Sequence, residues 1–203
     1  MDDKKKKNIP EVSIVIPAFN EEESIKELVG EISVHFADTP YEIIIVDDGS
    51  TDRTWENIVQ LSREYPVSGL KFNSNQGKAA ALATGFGEST GKYVATLDAD
   101  LQDDPSEIPE MIKLIAETNF DLVSGWKKNR KDPIGKTLPS KLFNLTVRLT
   151  TGVKLHDFNC GLKVYTRNLV RNLNLYGEMH RYTPVLAAQQ GFSVGEKVVH
   201  HRP

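Results

Sequence analysis

The chain has 203 residues, 39% hydrophobic and 26% charged, with a formal net charge of -3. That length suffices for one α/β domain with a well-buried core, and the charge balance lacks the basic excess of nucleic-acid binders. The single cysteine, Cys160, excludes an internal disulfide and points to a reducing compartment.

Lys4-Lys5-Lys6-Lys7 sits in a polar stretch, so we expect residues 1–10 to be a disordered basic tail and 11–203 to be the domain. Attraction to a membrane surface is the other reading of that tail. The N-terminus lacks the apolar core of a signal peptide, and no apolar run approaches the ~20 residues that cross a bilayer.

Strand and helix patterns then alternate. Val12–Ile16 reads as a strand and Glu22–Phe36 as a helix; Glu42–Val46 and Arg53–Tyr65 repeat the pair. Val67–Phe72 is a third strand with a helix over Lys78–Phe86, and Tyr93–Leu97 a fourth with a helix over Ser106–Glu117. Phe120–Ser124 is a fifth strand, followed by a basic loop over Lys127–Pro139 and a helix over Ser140–Thr150. A strand at Gly161–Tyr165, a helix over Arg181–Gln190 and a strand-like run at Ser193–Val199 complete the chain. Strands apolar enough to be covered on both faces predict an α/β fold with a largely parallel sheet between helices.

In such a sheet the ligand site lies beyond the carboxyl ends of the strands. Those ends carry Pro17 to Glu21, Asp47 to Ser50, Asn73 to Lys78, and Asp98 to Asp104. Residues i and i+2 of an extended segment face the same side, so Asp98 and Asp100 can share one ligand. Hard divalent cations take one or two carboxylates plus the oxygens of a bound phosphate, so the pair suggests a metal holding a diphosphate. A polar turn after a strand is the alternative.

Asp47 and Asp48 repel each other unless they bind donors, and the N–H groups of a nucleobase edge would serve. Asn20 with Glu23, and Asp104-Pro105-Ser106-Glu107, fit helix-capping boxes, with Pro105 at the first helical position. Capping alone could account for both segments. Gly85-Phe86-Gly87 with Gly91 has the wrong spacing and position for a dinucleotide loop, and Gly77-Lys78 lacks the rest of a phosphate loop. His156, Cys160, His180, His200 and His201 lack compact metal-ligand spacing. Leu138, Leu142, Leu145 and Leu149 recur at helical spacing, as either a core-facing stripe or an amphipathic face for membrane or lipid.

Taken together, Pro17-Ala18-Phe19-Asn20-Glu21-Glu22, Val46-Asp47-Asp48-Gly49-Ser50-Thr51-Asp52 and Leu97-Asp98-Ala99-Asp100-Leu101-Gln102-Asp103-Asp104-Pro105 resemble the inverting glycosyltransferases of family 2. The likeness runs from about Val12 to the last residue. Asn75-Gln76-Gly77-Lys78, Asp157 to Lys163 and Met179 to Tyr182 are most similar to its polyprenyl-phosphate branch, the dolichyl- and undecaprenyl-phosphate sugar transferases. The resemblance implies a GT-A fold. It implies a nucleotide-sugar pocket built from Pro17, Ala18, Asn20, Glu21, Asp47, Asp48, Gly77, Lys78 and Asp98. It also implies Mg²⁺ or Mn²⁺ held by Asp98, Asp100 and Gln102. Many bacterial members continue into membrane-spanning helices, so we expect such a segment after Pro203, bringing the catalytic domain to the cytoplasmic face of the inner membrane.

One departure bears on mechanism. Soluble members often carry a catalytic Asp in a later Glu-Asp pair, and none occurs between Lys127 and Pro203. The chain offers Asp157 instead, with Lys127, Arg130, Arg181 and Arg202. An alcohol acceptor needs a general base, whereas a phosphate monoester, with a second pKa of about 6, arrives already anionic and needs cations. The four basic residues are therefore expected to clamp an acceptor phosphate, with Asp157, Asp100 and Arg181 at the reaction centre. A solvated charged loop is the alternative for the basic segment.

The expected function is metal-dependent transfer of a hexose from a UDP- or GDP-sugar to a polyprenyl phosphate in cell-envelope glycan synthesis. Transfer to a glycan alcohol, or nucleotide-sugar binding without catalysis, are the alternatives. No nucleic-acid partner is expected, and a homo-oligomer is compatible with the sequence.

Overall fold

The computed structural model describes residues 9–128, 144 and 146–202. Among them the chain runs β1 (Val12–Ala18), α1 (Ile25–His35), β2 (Tyr41–Asp47), α2 (Thr54–Leu61), β3 (Val67–Lys71), α3 (Lys78–Glu88), β4 (Tyr93–Thr96), α4 (Glu107–Thr118) and β5 (Leu122–Trp126). After a helical stretch at 146–151 come β6 (Lys163–Thr166), α5 (Arg167–Asn172), a 3₁₀ turn (Met179–Tyr182), α6 (Thr183–Gln189) and β7 (Val194–Val198). No helix among the described residues is long and apolar enough to cross a membrane.

The strands form one sheet in the order β3-β2-β1-β4-β6-β5-β7. All run parallel except β6, which pairs antiparallel with β4 and with β5. Side-chain alternation along β1 and β2 divides the core between two faces. Ile14, Ile16, Ile43 and Ile45 pack with Ile25, Leu28 and Ile32 of α1 and Ile108 and Met111 of α4. Val15, Ile44 and Val46 face the other way, onto Ala81, Leu82 and Phe86 of α3 and Leu169 of α5. Each such buried aliphatic side chain contributes roughly 1.5–3 kcal/mol, which is why the central strands read as unbroken apolar runs.

The strand order reverses at β1. The chain moves outward from β1 through β2 to β3, then returns to place β4 on the opposite flank of β1. The crevice between the carboxyl ends of β1 and β4 is thus the topological switch point, where open α/β sheets bind ligands.

Several element ends differ from expectation. α1 begins at Ile25 and its N-cap, Ser24, makes no side-chain cap bond. Asn20 does not cap it: its backbone is left-handed at φ 57 and its Oδ1 accepts from Thr51 N–H at 2.9 Å. Asn20 therefore ties the loop after β1 to the loop after β2. The Asp104 box fails similarly. α4 begins at Glu107 behind Ser106, Pro105 lies ahead of the helix, and Asp104 accepts from Ser106 N–H in a local turn. The expected helix over Arg181–Gln190 is a 3₁₀ turn followed by α6, with Pro184 in the first turn of α6. Of the leucine stripe, Leu138, Leu142 and Leu145 lie outside the described residues. Leu149 is 75% exposed while Val147 is buried, so Leu149 does not face the core.

Candidate active site

Cavity 1, of about 380 Å³, opens at the switch point. Its wall includes Pro17 and Ala18 at the end of β1, Glu21 after it, Asp48 after β2, Lys78 at the start of α3, and Asp98 and Asp100 after β4, together with Phe19, Asn75, Gly77 and Ala99. Four separate strand ends thus deliver their polar residues to one place. β4 closes at Thr96, so the two carboxylates sit in the turn beyond it, and Ala99 reaches the same wall.

Asp48 is bound within the chain. Its carboxylate accepts from the backbone N–H groups of Gln76 at 2.7 Å and Gly77 at 2.9 Å. Gly77 holds φ at 92°, where a side chain would be strained, and this turn aims both N–H groups at Asp48 while starting α3. Asp47, fully buried and absent from the cavity wall, accepts from Ser50 N–H at 2.9 Å, and Lys71 Nζ lies 3.8 Å from its other oxygen. Asp48 thus receives donors on both oxygens and Asp47 on one, while Asp47 Oδ2 is buried without a hydrogen-bond partner among the described residues; Asp47 is absent from the cavity wall and Asp48 stands on it.

Glu21 accepts from Ser24 Oγ at 2.6 Å. Its pKa is raised, by burial and then, against that bond, by the charges of Asp100, Asp98 and Asp52. Asp98 is paired with the Lys78 ammonium. Burial alone would raise the Asp98 pKa, but Lys78, Lys127 and Lys163 together bring it below the usual carboxylate value. Asp100 is raised, by burial and then by the charges of Asp98 and Asp103, although Gln102 N–H donates to it. Gln102 meets Asp100 through its main chain and is not on the cavity wall. Gly161 backs the pair: a Cβ there would lie 2.6 Å from the Asp98 carboxyl carbon, so any side chain at this turn before β6 would displace the Asp98 carboxylate.

Cavity 2, of about 350 Å³, adjoins the first and shares Lys78 with it. Among the described residues expected to meet the acceptor, only Arg181 reaches it. Lys127 is buried in an ion pair with Asp103 at 2.8 Å; burial would lower its pKa, but Asp103, Cys160 and Asp98 together raise it above the usual value. Arg202 is committed to Glu31, with Nη1 at 2.9 and 2.8 Å from its two oxygens, and to Asp104 at 3.3 Å. Arg130 lies outside the described residues. Asp157, 3% exposed, accepts from Asn159 N–H at 3.0 Å and lies on neither wall. Among the described residues the structure does not bring Lys127 and Arg202 to Arg181, because these two neutralise buried or neighbouring carboxylates.

The family profile of Glycosyl transferase family 2 matches residues 13–174. The chain belongs to that family. It is 39% identical over 198 residues to dodecaprenyl-phosphate galacturonate synthase of Rhizobium johnstonii, covering 94% of this chain and 59% of that protein. It is 40% identical over 195 residues to undecaprenyl-phosphate 4-deoxy-4-formamido-L-arabinose transferase of Pseudomonas syringae, covering 94% of this chain and 57% of that protein. The chain thus spans less than two thirds of these curated relatives.

Among solved structures, a mannosyltransferase from Pyrobaculum calidifontis with GDP-Man and Mn²⁺ matches with a TM-score of 0.69 at 23% identity, covering 93% of this chain and 55% of that one. Glucosyl-3-phosphoglycerate synthase from Mycobacterium tuberculosis, with Mn²⁺, UDP-glucose and glycerol 3-phosphate, matches with a TM-score of 0.74 at 21% identity, covering 96% and 73%. The fold is GT-A.

Lys163 and His180, which lie in family-like segments but are given no site role by the sequence, both stand on the wall of cavity 2. Lys163 is 4% exposed and its ammonium donates to the Cys160 carbonyl. His180 lacks metal-ligand spacing in the sequence, and its Nδ1 is buried without a hydrogen-bond partner among the described residues. Burial, and then the charge of Lys78, lowers the His180 pKa to about 4. An unfolded histidine titrates near ~6.5, so between these values the unfolded state binds the extra proton and stability falls as pH falls. The loss from this group should be on the order of 2 kcal/mol by pH 4.5 and absent above pH ~7. Urea unfolding of His180→Asn should show a correspondingly smaller drop between pH 7 and 4.5; an identical drop would remove His180 as its source.

Proposed function

We propose that the chain is the catalytic domain of an inverting, metal-dependent glycosyltransferase that moves a hexose from a nucleotide sugar to a polyprenyl phosphate. The observation that carries this reading is the gathering of Asp98, Asp100 and Lys78 at the switch-point cavity, whose wall also carries Glu21 and Asp48. The names of the relatives support a lipid-phosphate acceptor, and the Mn²⁺ and nucleotide sugars bound by the structural neighbours support the donor chemistry.

A divalent cation fits the donor set. Asp100 is raised partly by repulsion from Asp98 and Asp103, which a cation would relieve. No cluster of three or more His, Cys, Asp or Glu able to hold a metal occurs among the described residues. Asp98 and Asp100 would thus supply two ligands, and the donor's diphosphate oxygens and water the rest, as Mg²⁺ and Mn²⁺ accept. Bound there, the ion would neutralise charge growing on the departing diphosphate.

The chain's residues do the remainder. Pro17, Ala18, Glu21 and Asp48 border the nucleotide, with Asp47 and Asn20 shaping the loops behind them. Lys78, released from Asp98, is placed to meet a phosphate oxygen. An acceptor phosphate oxygen forms the new bond to the anomeric carbon from the face opposite the diphosphate. The old carbon–oxygen bond breaks with its electron pair leaving on the diphosphate. No proton has to leave the nucleophile, so no general base is required. Nucleotide sugars are cytoplasmic and the acceptor is a lipid, so the reaction belongs on the cytoplasmic membrane face.

Calorimetric titration with UDP- and GDP-hexoses, with and without Mn²⁺ or Mg²⁺, tests the donor half. One nucleotide class should bind at least about tenfold tighter with the metal. Metal-independent binding, or none, would contradict it.

A further inference from the structure

The turn that carries Asp100 is held in a conformation its own residues disfavour. Asp98 and Asp100 reach one cavity wall because the chain folds back just beyond β4. The fold-back passes through Leu101, whose φ of 64° is left-handed, and Gln102 N–H then returns to the Asp100 carboxylate at 3.1 Å. Glycine takes up that region freely, whereas leucine does so at a cost and persists there only where its surroundings hold it.

Residues 199–202, which follow β7, supply the hold. They run beside the turn: Asp103 and His201 form an antiparallel bridge, and Arg202 N–H donates to the Gln102 carbonyl at 3.1 Å. The Arg202 side chain then grips in two directions. Its Nη1 meets both Glu31 oxygens on α1, at 2.9 and 2.8 Å, and its Nη2 lies 3.3 Å from Asp104 Oδ1. The segment is itself anchored, by Val199 N–H on the Trp126 carbonyl at 3.1 Å and by His200 N–H on Glu107 at 3.0 Å. Glu107 opens α4 and also takes the Lys197 ammonium from β7. These ties fall on residues 102–104, directly after the strained position, and leave Asp100 to face the cavity.

We propose that residues 199–202 act as a strap that keeps the turn in its strained form, with Arg202 as the positioning residue for Asp100. Arg202 stands on neither cavity wall, so it acts on how Asp100 is presented and not on the donor itself. The consequence for a cation rests on the transferase reading, whereas the hold itself stands on backbone geometry. A guanidinium suits the task, because its planar fork meets two carboxylates at once in a fixed geometry. With the strap loosened, Leu101 relaxes toward ordinary backbone angles. Asp100 then spends part of its time away from Asp98, which weakens a cation held by both.

The test uses the chain, Arg202→Gln and Arg202→Lys. Without metal or nucleotide, amide hydrogen exchange at Gln102 and at residue 202 should be about tenfold faster in Arg202→Gln, with the amides of β4 and α3 unchanged. Calorimetry at saturating UDP or GDP should show Mn²⁺ binding about threefold to tenfold more weakly, with metal-free nucleotide affinity within about twofold of wild type. Arg202→Lys, which keeps the charge but not the fork, should fall between. Because Asp98 and Asp100 remain, saturating Mn²⁺ should restore Arg202→Gln turnover to within about twofold of wild type, unlike that of Asp100→Asn. A merely structural loss would weaken nucleotide binding equally with and without metal, and would overturn the positioning role. Unchanged exchange at Gln102, or unchanged Mn²⁺ affinity in the folded variant, would overturn it too, while leaving the transferase reading standing. A wild-type chain that binds nucleotide no better with Mn²⁺ would contradict the donor reading instead, and the exchange at Gln102 would then decide the strap by itself.

Discussion

Asp100→Asn should lower turnover by about a hundredfold to a thousandfold while leaving the fold intact, as several kcal/mol of metal-assisted charge stabilisation disappear. The substitution removes a charge from the turn beyond β4 and leaves an oxygen to accept from Gln102 N–H. It also relieves the repulsion that raises the Asp100 carboxyl, so the melting temperature should hold or rise slightly. Mn²⁺-dependent donor binding by calorimetry should weaken in parallel with turnover. Near-normal turnover of Asp100→Asn in EDTA would exclude the metal-dependent mechanism.

Lys127→Ala should act on stability and not on the acceptor. Lys127 and Asp103 keep 9% and 0% of their side-chain surface and approach to 2.8 Å. Removing one partner of a buried pair leaves an uncompensated charge, at a cost of about 3–5 kcal/mol. Asp103 also bridges His201, so the strain would reach the chain beyond β7. Urea unfolding should show the loss as a lower midpoint with an unchanged slope. Full stability combined with a raised lipid KM would restore Lys127 to a phosphate clamp.

Much of the fold was legible because burial on both faces leaves strands such as Ile43-Ile44-Ile45-Val46 without polar alternation, and helices follow at regular intervals. The strand order and the antiparallel β6 were not, since a four-residue strand carries no mark of direction. The carboxylate pair was legible as a pair, although its shared cavity comes from the turn past Thr96 and not from strand periodicity. Asn20 looked like a cap because capping is a local rule, whereas its partner Thr51 is 31 residues away. Lys127, Lys163 and Arg202 differ only in what lies opposite them after folding: a buried carboxylate, a cavity, and a half-buried glutamate. One basic residue looks like another until its partners are in place.

The most direct test of the central claim is transfer itself, with ¹³C-labelled UDP- and GDP-hexoses, Mn²⁺, and either undecaprenyl phosphate in vesicles or a free glycan alcohol. The account predicts a sugar phosphodiester formed on the lipid with inverted anomeric configuration, slowed about a hundredfold or more by Asp100→Asn, and no product on the alcohol. Transfer to the alcohol and never to the lipid phosphate would contradict it.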